Sequence, residues 1–305
     1  MDFIAFGIIL DDIEFADGRA ARGVLGGGGP QTAFGMRLWS ERVGLAAKVG
    51  ADLPAEARGW LESAGIETTG VFTTPWPTLR AVQRLDAEGQ RRHEWLSPVE
   101  AIGPQLSRAA GDLPQSYRAA RGFHVGLHPD EPDLAFLAGL RALGGLVSVE
   151  PFRRAARRPT PEALRALLEV CDIFSPNVTG AESLVGPGAP DVLVRRLVEA
   201  GARVVALRMG AAGSLVYAPD SQGEYVLNHI PALPVDVVDP VGAGNAYGGA
   251  FLTGWADTRD PLEAGLRGAV AASFVLEQVG LPLVTPALLA WAHERLASLR
   301  AAASP

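Results

Sequence analysis

The segment Val238-Asp239-Pro240-Val241-Gly242-Ala243-Gly244-Asn245-Ala246-Tyr247-Gly248-Gly249-Ala250-Phe251 joins a carboxylate, a glycine turn and an apolar run. Gly242 and Gly244 allow the backbone to turn tightly and approach a ligand. The helix expected after them aims its free N–H groups and positive dipole end at that turn. The natural occupant is an anion, either a phosphate or an oxyanion that develops during group transfer. Glycines placed only for packing are the plain alternative. The β-like Val237-Val238-Asp239 before the turn and Tyr247-Gly248-Gly249-Ala250-Phe251 after it argue against that alternative.

A second cluster, Phe123-His124-Val125-Gly126-Leu127-His128-Pro129-Asp130, ends a predicted strand, where open α/β sheets bind ligands. With His124, His128 and Asp130 as metal ligands it would suit metal-assisted hydrolysis. Histidines at this spacing outside a helix more often serve local hydrogen bonds. Arg153-Arg154 and Arg157-Arg158 are read as solvated charges. Lys48 is the only lysine, so a cation that grips phosphate in this chain is an arginine or a metal.

The elements that position these residues alternate. Strand candidates are Phe3 to Leu10, Val43 to Val49, Gly122 to Gly126, Leu146 to Glu150, Cys171 to Ser175 and Val204 to Arg208, separated by helical patterns. This is the sequence form of a parallel sheet covered on both faces. Thr160-Pro161-Glu162 and Asp260-Pro261-Leu262-Glu263 are helix starts, with a capping side chain followed by proline. Leu289, Ala292, Leu296 and Leu299 form one face of a last helix, expected to pack on the sheet. Two segments break the alternation. Residues 13–25 are mixed and polar, and residues 78–97 read as strands Leu79 to Leu85 and Arg91 to Leu96 around a turn containing Asp86 and Gly89. The 305 residues are expected to form one domain with these two segments as an inserted small sheet.

Net charge −7 argues against broad nucleic-acid binding, which needs a basic face. No apolar run is long enough to span a bilayer and Met1-Asp2-Phe3-Ile4 lacks the basic flank of a secretory signal, so no membrane association and a cytoplasmic location are expected. Cys171, the one cysteine, reads as a plain buried thiol.

From Asp239 through Gly244 the turn resembles the D-x-x-G-A-G-D signature of the pfkB (ribokinase-like) carbohydrate kinases, and the resemblance covers nearly the whole chain. It implies a doubly wound, mostly parallel α/β sheet with helices on both faces and a small β lid, formed by about residues 13–25 and 78–97. It also implies transfer of the ATP γ-phosphoryl group, with Mg²⁺, to a hydroxyl of a sugar or related small molecule. Gly242, Ala243, Gly244 and Asn245 would be the catalytic positions, and Asp239 would serve the metal. Gly7 to Ile13 resembles the first strand, whose aspartate, here Asp12, touches the acceptor. Gly26-Gly27-Gly28-Gly29-Pro30-Gln31 resembles the glycine box around the same molecule, with Gln31 in place of asparagine and Gly27 and Gly28 beside it. Asn177, Arg208, Gly210, Gly213 and Ser273 match positions along the nucleotide. The departures gather where phosphate is handled. Asn245 replaces the aspartate base, Gly180 replaces a glutamate that orders metal-bound water, and no lysine lies between Gly210 and Gly213. The G-A-G-N reading is similar to the maintenance-of-killer relatives of the family. A slow kinase or a nucleotide- and sugar-binding protein both fit, and Asn245→Asp is expected to raise turnover. A homodimer through Leu79 to Leu96 is expected if the lid exposes a sheet edge.

Overall fold

The computed structural model describes residues 1–87, 91–220 and 222–303. Its strands are β1 (Phe3–Phe6), β2 (Ile9–Glu14), β3 (Ala20–Gly26), β4 (Val43–Val49), β5 (Glu67–Thr73), β6 (Arg80–Leu85), β7 (Arg91–Trp95), β8 (Gly122–Leu127), β9 (Leu146–Pro151), β10 (Ile173–Phe174), β11 (Val204–Arg208), β12 (Ser214–Pro219) and β13 (Tyr225–Ile230). Nine of them form one sheet in the order β13-β12-β11-β10-β9-β8-β1-β4-β5. The run from β11 to β5 is parallel, and β12 and β13 add an antiparallel edge.

One apolar cluster lies on each face of this sheet, which is why its strands are apolar on both sides. Helices Gly29–Arg37, Ala55–Ser63, Ala243–Thr258 and Pro261–Leu276 contribute to one cluster, and Leu134–Ala142, Pro161–Glu169, Val178–Val185 and Pro190–Glu199 to the other. Thr160 caps its helix through the Ala163 N–H at 3.2 Å, and Asp260 caps through the Leu262 N–H at 2.8 Å. The stripe Ala292, Leu296 and Leu299 on helix Pro286–Ala303 is buried and packs on helix Pro261–Leu276, within the same apolar cluster as one face of the sheet.

Four strands form the lid, in the order β3-β2-β6-β7. The first strand candidate, Phe3 to Leu10, is divided between the two sheets. Gly7 has φ 91°, a left-handed turn of the backbone after which the chain leaves the main sheet at Phe6 and enters the lid at Ile9. The lid therefore begins four residues earlier than position 13. The expected turn glycine, Gly89, lies outside the described residues. Leu79, Ala81, Val82 and Leu85 are buried within one chain, whereas Leu96 at the end of the same segment is 53% exposed. The Cys171 thiol is buried, which pushes its pKa up to about 12. Among the described residues no helix is long and apolar enough to cross a membrane.

Candidate active site

Gly242 holds φ 87° and caps helix Ala243–Thr258, a backbone state that strains any residue with a Cβ. Ala246 N–H reaches the Gly242 carbonyl at 3.0 Å, whereas Ala243 N–H meets Pro240 only at 3.5 Å. The N–H groups of the first turn thus have no helical carbonyl to bond, and the first turn carries no acidic residue. The segment Val237 to Asp239, expected as a strand, forms none: Val238 bends, and its N–H and that of Asp239 bond the Leu276 carbonyl at 2.7 and 3.2 Å.

Beneath this turn lies the end of β9. Ser148 and Glu150 sit two residues apart and face the helix, in register with His124 and Gly126 on β8. Glu150 is 2% exposed. Its Oε1 accepts the Asn245 Nδ2 amide and lies 3.7 Å from His124 Nε2, and its Oε2 pairs with Arg208 Nη2 at 2.9 Å. Burial by itself would raise the Glu150 pKa; the Arg208 guanidinium, aided by His124 and Arg91, outweighs it and holds the carboxyl below its ordinary range. Arg208 also donates to the Ser175 carbonyl at 2.9 Å. A Cβ at Gly244 would stand 1.7 Å from Arg208 Nη1, so the second glycine of the turn is what admits the arginine. Asn245, Glu150 and Arg208 therefore form one contact chain at the mouth of the anion turn. His124 extends it inward, with Nδ1 2.9 Å from Ser148 Oγ.

The lid closes over this chain with a polar inner face. Asp11, Gln83, Arg91, His93 and Trp95 share that face by the period of two and the pairing of β2, β6 and β7. Gln83 Nε2 donates to Asp11 Oδ1 at 2.8 Å and lies 2.9 Å from His93 Nδ1. The Asp11 carboxylate fills the space that a side chain at Gly26 would need. Burial pushes the Asp11 pKa up to about 6 against the opposing pull of Gln83 and Arg91. Burial likewise takes His93 down to about 4, helped by Arg91 and Arg153, so it is neutral at pH 7. Arg91 donates to the Phe152 carbonyl at 2.8 Å, tying the lid to the end of β9, and the Phe152 ring is 43% exposed beside it.

The sequence candidates divide. Gln31 is buried against the turn: Nε2 donates to the Leu25 carbonyl at 3.1 Å, and its Cγ stands 2.4 Å from where a Gly242 Cβ would lie. Gly28 abuts Asn245, whose Nδ2 lies 2.9 Å from the position of a Gly28 Cβ. Gly27 approaches Asp11, to which its N–H is hydrogen-bonded. Asp12 points the other way. It accepts the Gly23 N–H at 2.8 Å and faces Arg22 and Arg80 on the outer side of the lid, so the carboxylate beside the glycine box is Asp11.

Asp239 is spent on the turn. It is buried, accepts N–H groups of Val241 and Gly280, and has its pKa raised by burial. Among the described residues no group of three or more His, Cys, Asp or Glu could hold a metal ion. Asn177 caps helix Val178–Val185 through the Gly180 N–H at 2.7 Å, and Gly180 is the third residue of that helix. Gly213 admits the Ile230 carbonyl, while Gly210 opens the same turn toward free space. Ser273 is buried, donates to the Val270 carbonyl at 2.7 Å and accepts from Arg295 at 2.7 Å. His128 and Asp130 do not join His124: His128 packs on Phe152, and Asp130 accepts the N–H groups of Ala156 and Arg157.

A sequence model of the pfkB family carbohydrate kinases matches residues 4–287. A cytidine kinase of Thermococcus kodakarensis is 31% identical over 289 residues, covering 92% of this chain and 98% of that protein. MAK32 of Saccharomyces cerevisiae is 33% identical over 89 residues, 28% of this chain and 24% of that protein. The crystal structure of aminoimidazole riboside kinase from Salmonella enterica, complexed with aminoimidazole riboside and an ATP analog, aligns with a TM-score of 0.75 at 19% identity, over 97% of this chain and all of that one (100%).

Proposed function

Because the chain belongs to the pfkB family of carbohydrate kinases, we propose that it transfers the γ-phosphoryl group of ATP, supplied as the magnesium complex, to a hydroxyl of a sugar or nucleoside. The observation that carries this reading is the anion turn itself, open N–H groups at a helix start with Arg208 and Asn245 against it. Phosphoryl transfer through a loose transition state needs in-line positioning and charge stabilisation more than covalent chemistry. The turn and Arg208 supply the charge stabilisation, and Gly210 and Gly213 shape the loop after β11 along the nucleotide.

The acceptor lies under the lid. Among the described residues, Gln31 Oε1, Gln83 Oε1, Arg208 Nε and His124 Nε2 are buried without a hydrogen-bond partner, a cost that polar ligand groups relieve. Asp11 and Gln83 suit ribose hydroxyls, and Trp95 and the exposed Phe152 ring suit a flat base. The names of the cytidine kinase and the aminoimidazole riboside kinase point the same way, which makes nucleosides the first acceptors to try.

Asn245 favours one other reading, a binding protein of this fold with little turnover, because the amide cannot accept a proton. A thermal-stabilisation screen with cytidine, adenosine, ribose and fructose, with and without MgATP, followed by ADP release on the stabilising compounds, separates the two. The kinase reading expects acceptor-dependent ADP release above the ATP-only blank; stabilisation without any such release supports the binding protein.

A further inference from the structure

The base that Asn245 lacks has a neighbour to replace it. We propose that Glu150 is the proton acceptor for the hydroxyl that is phosphorylated, with Asn245 as the neutral amide that covers and orients it; this rests on the kinase reading above. Three observations carry it. Glu150 Oε1 is the atom that accepts the Asn245 amide, so an oxygen at the tip of Asn245 lies within hydrogen-bond reach of the carboxylate. Glu150 is buried at the end of a strand beneath the anion turn, where a carboxylate is costly unless it has work or a partner. Its partner, Arg208, touches Gly244 as well, so the same guanidinium serves the carboxylate and the turn.

The step balances with no further reactant. The acceptor hydroxyl displaces the Asn245 Nδ2 from Glu150 Oε1, and Asn245 Oδ1 remains beside it. As the hydroxyl oxygen forms its bond to the γ-phosphorus, its proton passes to Glu150. The phosphorus–oxygen bond to the β-phosphate breaks, and its electron pair leaves with ADP. Glu150 returns the proton to solvent after product release. An anion at the turn competes for Arg208, which leaves Glu150 the better base at the moment when the γ-phosphoryl is in place.

Four proteins test this with MgATP and, as acceptors, cytidine and ribose: the wild type, Glu150→Gln, Asn245→Asp and the double exchange Glu150→Gln/Asn245→Asp. Glu150→Gln is expected to lose about 10²-fold to 10⁴-fold in kcat, with the KM for ATP within about threefold. The double exchange inverts the amide and the carboxylate across the same contact and should regain at least tenfold of that loss. Because a carboxylate at position 245 can itself act as the base, the rescue is read together with the pH profile: a proton-accepting Glu150 removes the acid limb of the kcat–pH profile in Glu150→Gln, whereas a Glu150 that only balances Arg208 leaves that limb in place. Glu150→Asp keeps the charge beside Arg208 but withdraws the carboxylate by one methylene. It covers the case in which the glutamine variant does not fold, with an expected loss of about 10-fold to 10²-fold in kcat. A wild-type kcat in either single variant at position 150 overturns the proposal. A silent wild type beside an active double exchange also overturns it while leaving the kinase site standing. Folded, ATP-binding proteins that are all silent would remove the kinase reading together with it.

Discussion

Two of the molecule's arginine–carboxylate systems lie on opposite sides of the lid. The outer face carries Asp12, Glu14, Arg22, Arg80, Arg84 and Glu94 as an exposed network, with Arg84 on Glu14 at 2.8 Å and Arg22 on Glu14 at 3.0 Å. Below the lid, Glu150 and Arg208 form a pair whose side chains are 2% and 16% exposed. The charges are the same and the consequences differ. Water screens the outer network, where each pair adds little, whereas a buried pair is indispensable once formed because neither charge can be left alone. Specific chemistry therefore belongs at the inner pair, and the outer network serves to keep the lid's exposed face polar.

The comparison breaks most visibly at Arg208→Ala. Glu150 is then a buried carboxylate without its cation, and a loss of about 3–5 kcal/mol is expected. Glu150 has a lowered pKa in the folded protein, so its contribution is present above the unfolded carboxylate value and fades as pH falls through the folded value. Without Arg208 that pH dependence should weaken or reverse, which denaturant titrations at pH 4 and pH 7 would register. Asp11 is the intermediate case, buried and, among the described residues, with no arginine at ion-pair distance. Its pKa is raised to about 6, so folding favours its protonated form and stability falls as pH rises from about 4 to about 6. Asp11→Asn should remove that decline, worth up to ~3 kcal/mol, and stability that still declines equally would show that Asp11 is not its source. Asn245→Asp alone puts a second carboxylate against Glu150. A cost of about 1–2 kcal/mol at pH 7 is expected, shrinking under acid as the two come to share a proton. This neighbour alters the gain in turnover that the sequence by itself suggests for that substitution, since the new aspartate arrives beside a charge of its own sign. Arg84→Ala, on the outer network, should change the melting temperature by no more than about 1 °C; a large drop there would erase the distinction between the two systems.

The parallel sheet was legible because strands covered on both faces are apolar throughout, and the anion turn because glycines and a helix start leave a local pattern. Asp11 was not, since Phe3 to Leu10 reads as one strand and only the left-handed turn at Gly7 resets which side of β2 faces the glycine box. Glu150 had a faint signal: Val147-Ser148-Val149-Glu150 alternates apolar and polar in a strand whose setting is apolar on both sides, the mark of a polar column inside the fold. Its partners Asn245 and Arg208 lie 95 and 58 positions further along the chain, and nothing local joins them. Asp239, by contrast, sits close to the turn in sequence but spends its oxygens on backbone N–H groups, a commitment that spacing alone does not reveal.

The central claim is that the anion turn delivers a phosphoryl group to a hydroxyl held beside Asn245. Phosphorus-31 NMR of the wild-type protein with MgATP and a stabilising nucleoside tests it directly. The account predicts a new phosphomonoester resonance that grows in step with ADP and is absent without the nucleoside. ATP that stays intact, or that yields only inorganic phosphate while the nucleoside remains unmodified, would contradict it.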